Sequence, residues 1–321
     1  MKNLAVILLF MFFTNYIQAQ QNLVYNGDFE IYDSCPNTFA EIESCTGWYS
    51  PSISTPDYFN ACANSTTTPV NVPYSAGGFQ IANSGSGYCG FIGYSSGTIP
   101  PDSSFLWIEY IQSELLLPLE KGKLYYASMY INLSNISYNT ANSRFGMLFT
   151  DTPLLKMDAT PYEVQPQILN THFITDTLNW TFIDGYFIAN GNEKYITIGI
   201  FYETEKIDTL IIEQAITPDF QSTYYLVDNT QLIEMPFSMP NVFTPNGDGI
   251  NDVIDFSNMP NEWKAIVYNR WGNKIFESSL LNKIWNGTTM SGKKCTNGVY
   301  YYVIETDNNT LLKGFIQLFI N

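Results

Sequence analysis

Charge is scarce in this sequence. Of its 321 residues, 14% are Asp, Glu, Lys or Arg, against roughly 25% in an ordinary soluble domain. Positive charge is scarcest, with 14 Lys and Arg against 30 Asp and Glu and a formal net charge of −16. A chain so poor in cations excludes nucleic-acid binding, because Lys and Arg neutralising phosphates supply most of that affinity. Histidine is limited to His172. A multi-histidine zinc site is thereby excluded, and a Ser-His-Asp triad would have to use His172, with no GxSxG elbow in the chain. Walker, dinucleotide-binding and HExxH motifs are also missing. A glycosidase needs only two carboxylates, so acid content leaves a cryptic glycoside hydrolase as a weaker alternative. No carboxylate pair is distinguished by its sequence surroundings, and the expectation is that the protein is not an enzyme.

Long apolar runs are missing as well. The longest is Leu4–Phe13, behind Lys2 and ahead of the more polar Thr14–Ala19. It is half the roughly 20 residues of a membrane span. Its layout is that of a secretory signal peptide covering residues 1–19, with cleavage after Ala19. The expectation is an exported protein with no transmembrane segment.

Cysteines number five: Cys35, Cys45, Cys62 and Cys89 in the first hundred residues, and Cys295 near the end. Outside the cytosol, the first four predict two disulfides, and spacing leaves all three pairings open. Cys295 is expected to be a free, semi-buried thiol.

What the chain has in abundance is β-forming sequence. Hydrophobic residues make up 45% and aromatics 16%, which supports a core and excludes wholesale disorder. Helical periodicity is nearly absent. Short alternating or β-branched runs, such as Leu124–Leu133, Phe145–Thr150, Asn179–Ile188, Tyr195–Tyr202 and Tyr224–Ile233, are separated by Gly, Pro, Asn and Ser. In Tyr195–Tyr202, Ile196, Ile198 and Ile200 share one face at period two. This predicts an all-β protein built of sandwiches. Met235–Pro240, with two prolines, breaks the pattern. We read 20–234 as one unit, 235–240 as a linker and 241–321 as a second unit. Residues 239–321 hold seven acids and seven bases, so the acidity belongs to the first unit.

The second unit carries three ordered strings. Pro240–Asp252 reads PNVFTPNGDGIND, Val267–Phe276 reads VYNRWGNKIF, and Trp285–Tyr302 reads WNGTTMSGKKCTNGVYYY, ahead of a closing Lys313–Ile320. Read alone, they predict a small sandwich with turns at Asn269–Gly272, Asn286-Gly287 and Asn297-Gly298, and with Trp271 and Trp285 in the core or at its rim. Together they resemble the gliding motility-associated C-terminal domain, the type B sorting signal of the type IX secretion system. The sorting-motif residues are Pro245, Asn246, Gly247, Asp248, Gly249, Asn269, Arg270, Trp271, Gly272, Trp285 and Gly287. The chain departs from the family pattern at Asn286 and at its terminal Asn321. The resemblance implies an Ig-like fold, the type IX machinery as partner, and a destination outside the cell or on its surface. Asp248 and Asp252 offer oxygen ligands for Ca2+, with a Gly-stabilised turn as the competing reading.

In the first unit, Asn22–Glu30 (NLVYNGDFE) and Ser222–Ile233 (STYYLVDNTQLI) resemble the first and last strands of galactose-binding-like jelly rolls. Leu116–Tyr130 and the loop-rich Cys35–Tyr94 fit the same class. The resemblance implies a jelly-roll sandwich, a glycan ligand, and Glu30 and Asp228 as ligands of a structural Ca2+, with no other cofactor required. Sugar recognition needs an aromatic platform and a few polar groups. The candidates are Trp48, Tyr49, Tyr58, Tyr88 and Trp107, with Phe59 and Tyr94 behind them and Asp57, Asn60 and Gln80 as polar partners. Core filling is the competing role for each aromatic. Asp176-Thr177-Leu178 and Asp208-Thr209-Leu210 resemble the acceptor triplet of periplasmic O-glycosylation, nominating Thr177 and Thr209. The leading expectation is an exported, non-catalytic surface module, with a structural or adhesive component that has protein partners as the alternative.

Overall fold

The computed structural model describes residues 21–320, apart from 65, 100–102, 136–139, 203–207, 213–219, 236–238, 258, 260–262 and 307–308. The expected signal peptide lies outside the described residues. Strands dominate. The helical element described is a single 3-10 turn at Ile42–Ser44.

Two sheets face each other in the first unit. One has five strands, in the order Trp48–Tyr49, Ile111–Glu114, Tyr195–Ile200, Phe145–Thr150, Ile168–Asn170. The other has six. Its main path runs Thr181–Ile188, Leu124–Leu133, Phe220–Glu234, Gly87–Ile99, Asp57–Asn60, and Ser103–Trp107 pairs with Gly87–Ile99. All these pairings are antiparallel. Period two decides what each strand buries. Tyr125, Ala127, Met129, Ile131 and Leu133 point into the core, as do Ile196, Ile198 and Ile200 from the opposite sheet. Phe145 and Tyr225 meet there with ring centroids 4.3 Å apart. The result is an all-β sandwich with one continuous core.

The six-stranded sheet has an outer face, and the chain covers half of it. Phe59, Tyr88 and Leu226 project outward and are roofed by Ala63, Val70 and Val72 from the segment that follows the Asp57–Asn60 strand. The other half has no such roof over Tyr130 and Phe182, but the second unit covers its end at Leu124, Tyr186 and Ile188.

Beyond the prolines, a five-stranded sheet runs in the order Val242–Phe243, Asn309–Leu318, Gly298–Thr306, Lys264–Tyr268, Lys274–Glu277. A two-stranded sheet, Ile254–Asp255 with Ile284–Trp285, closes over it. Phe243, Phe256, Val267, Trp285, Ile304 and Ile316 fill the space between. This is the small Ig-like sandwich the motifs predict, with one correction. Trp285 is in the core, stacked near Phe243 and Tyr300, but Trp271 is 77% exposed. A two-residue excursion at the tip of a tight turn carries the indole away from the sandwich.

The first unit contributes to this second core. Leu124 is buried in it, with Tyr186 and Ile188 packed alongside, and the Tyr186 ring meets Trp263 edge-on at 4.9 Å. Met235 continues the strand, its N–H donating to the Leu124 carbonyl.

Candidate functional site

The aromatic residues nominated from sequence do not form a platform. Trp48 is 1% exposed, stacked on Phe29 with its Nε1 donating to the Asn26 carbonyl at 2.9 Å. Tyr58 is wholly buried, its hydroxyl donating to the Phe29 carbonyl. Phe59 and Tyr88 stack on each other beneath the roofing segment. Tyr49 and Trp107 are half-buried, Tyr49 accepting from Gln112 Nε2 and Trp107 donating to Glu109. Tyr94 is half-buried and bonded to Ser96. Asn60 and Gln80 are buried. These rings fill the sandwich because Gly and Pro let the loops fold inward over strand ends; loop position alone did not expose them.

The exposed aromatic face is elsewhere, on the uncovered half of the six-stranded sheet. Along the Thr181–Ile188 strand, which forms one end of the sheet's main path, Trp180, Phe182, Asp184 and Tyr186 recur at period two on the outer side. At about 3.3 Å per residue they span about 20 Å. Phe182 is 46% exposed and lies 4.9 Å from Tyr130, its cross-strand partner. Tyr186 lies 4.9 Å from Tyr126. The Tyr126 hydroxyl donates to the exposed Asp184 carboxylate at 3.0 Å, and burial together with that carboxylate raises the phenol well above its usual range. At one end, Trp180 is half-buried against the roofed cluster, edge-on to Tyr88 at 5.8 Å, and donates to the Ile81 carbonyl. Next to it, Asn132 uses its amide nitrogen on the carbonyls of Asp176 and Asn179, while its Oδ1 is buried with no hydrogen-bond partner. At the other end stands Trp263 against Tyr186. The face thus combines flat rings in register with an exposed carboxylate, whereas the Asn132 Oδ1 is sealed from solvent. Sequence reading missed it because Tyr126, Tyr130 and Phe182 sit inside regular strands, where an aromatic reads as core. The period-two partition of Asn179–Ile188 was the available signal.

Two buried carboxylates serve the scaffold. Glu109 accepts from the N–H groups of Thr55 and Ile92 and from Trp107, and burial pushes its pKa up. Asp57 accepts from Ala40 N–H and the Tyr224 hydroxyl, and burial raises it to about 7. Neither lines the described clefts. His172 is exposed, and its backbone rather than its ring bonds to Asn170.

Glu30 and Asp228 converge on one segment. Glu30 Oε1 accepts the N–H groups of Ser86 and Gly87, and Asp228 accepts those of Ser84 and Asn229. Asp228 is fully buried, and burial with the nearby Glu30 charge in support lifts it to about 7. Two carboxylates facing the same segment with no cation at hand suit a hard cation in charge and donor type. No cluster of three or more His, Cys, Asp or Glu exists among the described residues, so backbone carbonyls would complete any shell.

Asp248 and Asp252 are otherwise engaged. Asp248 accepts from Ile250 N–H and Asn246 Nδ2, and Asp252 from the N–H groups of Gly247 and Gly249. Those amides hold the Asp252 carboxyl below its usual range. Each of the four oxygens already takes one donor, and the positive φ of Gly247 and Gly249 makes the turn. The loop is held as a turn by its own hydrogen bonds, the reading that competes with Asp248 and Asp252 as Ca2+ ligands.

One expected disulfide is present, Cys35–Cys62. Cys45 and Cys89 are buried free thiols in the main core, corrected from the expected second bridge. Cys295 is free and buried. Thr177 is half-buried in an exposed turn capped by Asp176, and Thr209 half-buried in a strand paired with Thr140–Asn142.

Residues 237–318 match the family model described as the CHU_C Type IX secretion signal domain. That stretch is a type IX secretion signal domain. A type IX secretion signal implies export to the outer surface or beyond, and among the described residues no helix is long and apolar enough to cross a membrane. No curated protein matches the chain. Solved structures that match it weakly include an arabinose-bound GH51 α-L-arabinofuranosidase, 13% identical with a TM-score of 0.37, matched over 67% of this chain and 27% of that one. They include a CBM22 xylan-binding domain from Paenibacillus barcinonensis, 12% identical at TM-score 0.31 over 60% and 88%. A cellulose-binding domain from Cellulomonas fimi is 13% identical at 0.21 over 45% and 90%. The first of these is spanned for about a quarter of its length.

Proposed function

We propose that the protein is an exported, non-catalytic glycan-binding module, with residues 20–234 as the cargo, 235–240 as linker and 241–321 as the export address. The outer-face strip formed by Trp180, Phe182, Tyr186 and their partners Tyr130 and Tyr126 supports this reading. Flat rings stack on sugar faces, while the exposed Asp184 carboxylate meets hydroxyl groups. Glu30 and Asp228 would hold a structural Ca2+ that pins the segment beside the sandwich, a scaffold role with no chemistry in binding. Type IX machinery is the export partner. A panel of soluble plant and bacterial polysaccharides in affinity electrophoresis tests the cargo reading, with Trp180→Ala/Phe182→Ala abolishing retardation. No retardation by any glycan would favour a protein-binding surface component. Deleting residues 239–321 leaves the protein in the periplasm if the address reading holds.

A further inference from the structure

The secretion-signal unit is neutral as a whole, yet one end of it is not. Two turns meet there. The first is Asn269–Gly272, where Asn269 Oδ1 accepts the N–H groups of Trp271 and Asn273, and the Gly272 N–H donates to the Asn269 carbonyl. Gly272 takes the positive φ that closes this turn. The turn is fixed by its own hydrogen bonds, and it holds the Trp271 indole in solvent. The second turn is tied by Thr289, whose N–H donates to the Lys293 carbonyl and whose hydroxyl accepts from the Lys293 N–H. It presents Lys293 and Lys294, both exposed. Between the turns lies a cleft of about 220 Å³, floored by Cys295 and Tyr300.

No acidic residue lines this cleft. Arg270 stands 6.0 Å from the centre of the Trp271 ring. Arg270, Lys293 and Lys294 make no ion pair among the described residues, whereas Lys264 and Lys274 of the same unit both bind Glu277. Three unpaired cations around a concavity focus a positive potential, and an exposed indole at a rigid turn is a ready contact group at low entropic cost.

We propose that this cleft is the surface by which the export signal is read, and that it seats an acidic polypeptide segment of a partner protein. Carboxylates of the segment pair with Arg270, Lys293 and Lys294, and an apolar side chain covers Trp271. An anionic lipid surface fits less well, because polybasic membrane contacts use about 4–8 cations, and here three ring a concave site. The proposal rests on the reading of this unit as an export signal.

The test uses the full chain. Binding of an Asp/Glu-rich decapeptide is titrated at about 0.1 M salt, where the acidic cargo is screened beyond roughly 10 Å. Its Asn/Gln counterpart and phosphatidylglycerol vesicles are run beside it. The acidic peptide binds, and Trp271→Ala or the triple variant Arg270→Glu/Lys293→Glu/Lys294→Glu weakens it by at least about tenfold. The control Lys313→Glu does not, and all variants melt like the wild type because the altered side chains are exposed. No binding, equal binding of the neutral peptide, or indifference to the variants overturns the proposal. Binding of vesicles in place of peptide reassigns the cleft to lipid. In cells, the triple variant is retained in the periplasm. If deletion of 239–321 still allows export, the signal reading itself fails. If the deletion is retained but the triple variant is exported normally, only the cleft assignment fails.

Discussion

The Tyr224 hydroxyl donates to the Asp57 carboxylate across the six-stranded sheet, joining the Asp57–Asn60 strand at the end of the main path to the Phe220–Glu234 strand. Burial raises Asp57 to about 7, as it does Asp228. A carboxyl raised in the folded state binds its proton more tightly there than in the unfolded chain, where it titrates near 3.9. The stability this contributes is complete below about pH 4 and is lost as pH rises through about 7. We expect the urea midpoint, measured with chelator present, to fall between pH 5 and pH 8, with a loss of unfolding free energy on the order of a few kcal/mol. Asp57→Asn keeps the neutral shape and flattens the profile. A midpoint that rises over this range would contradict the assignment.

The proposed Ca2+ would act on the same Asp228. A cation beside Glu30 and Asp228 would replace the proton, so the two compete. Adding Ca2+ at pH 8 should raise the melting temperature by several degrees, equivalent to about 1–3 kcal/mol at saturation. The increment should shrink at pH 6 and vanish in Glu30→Ala. Melting that ignores both chelator and Ca2+ removes the site from the scaffold.

Thiol chemistry can be read directly. Alkylation of the native protein should label none of Cys45, Cys89 and Cys295 quickly, and all three after denaturation, because each is buried. Cys35→Ser/Cys62→Ser should cost about 3 kcal/mol, since it frees a loop of 27 residues in the unfolded chain. Peptide mapping that finds a Cys45–Cys89 bridge would contradict the two free thiols.

Trp263 tests the junction. It packs on Tyr186 and on the core that also buries Leu124. Trp263→Ala should cost about 3–5 kcal/mol and split one calorimetric transition into two, as the two sandwiches lose their shared apolar contact. A single unsplit transition would mean that the packing does not couple them.

The aromatic strip gives a graded series. Phe182→Ala and Trp180→Ala should each weaken polysaccharide binding by about 1–2 kcal/mol, with stability nearly unchanged for the half-exposed Phe182. Trp48→Ala should instead lower the melting temperature steeply, since its ring lies in the core. If Trp48→Ala lost binding at unchanged stability, the roles of the two clusters would be exchanged.

Sequence by itself determined the β-rich architecture, because period-two runs such as Ile196, Ile198 and Ile200 can bury their apolar side in no other regular form. The secretion-signal unit was legible too: turn residues at Asn246–Gly249 and Asn269–Gly272 act locally, and they lie within residues 237–318, which match the secretion-signal family model. What lay between distant strands was decided by tertiary structure. Trp48 and Phe182 are both aromatic neighbours of turn-rich sequence, yet one is sealed by Phe29 and the other stands open beside Tyr130. Which face a roofing segment covers, which cysteine finds a partner, and which tryptophan is left in water depend on contacts between residues tens to hundreds of positions apart. Local propensity carries no record of those contacts.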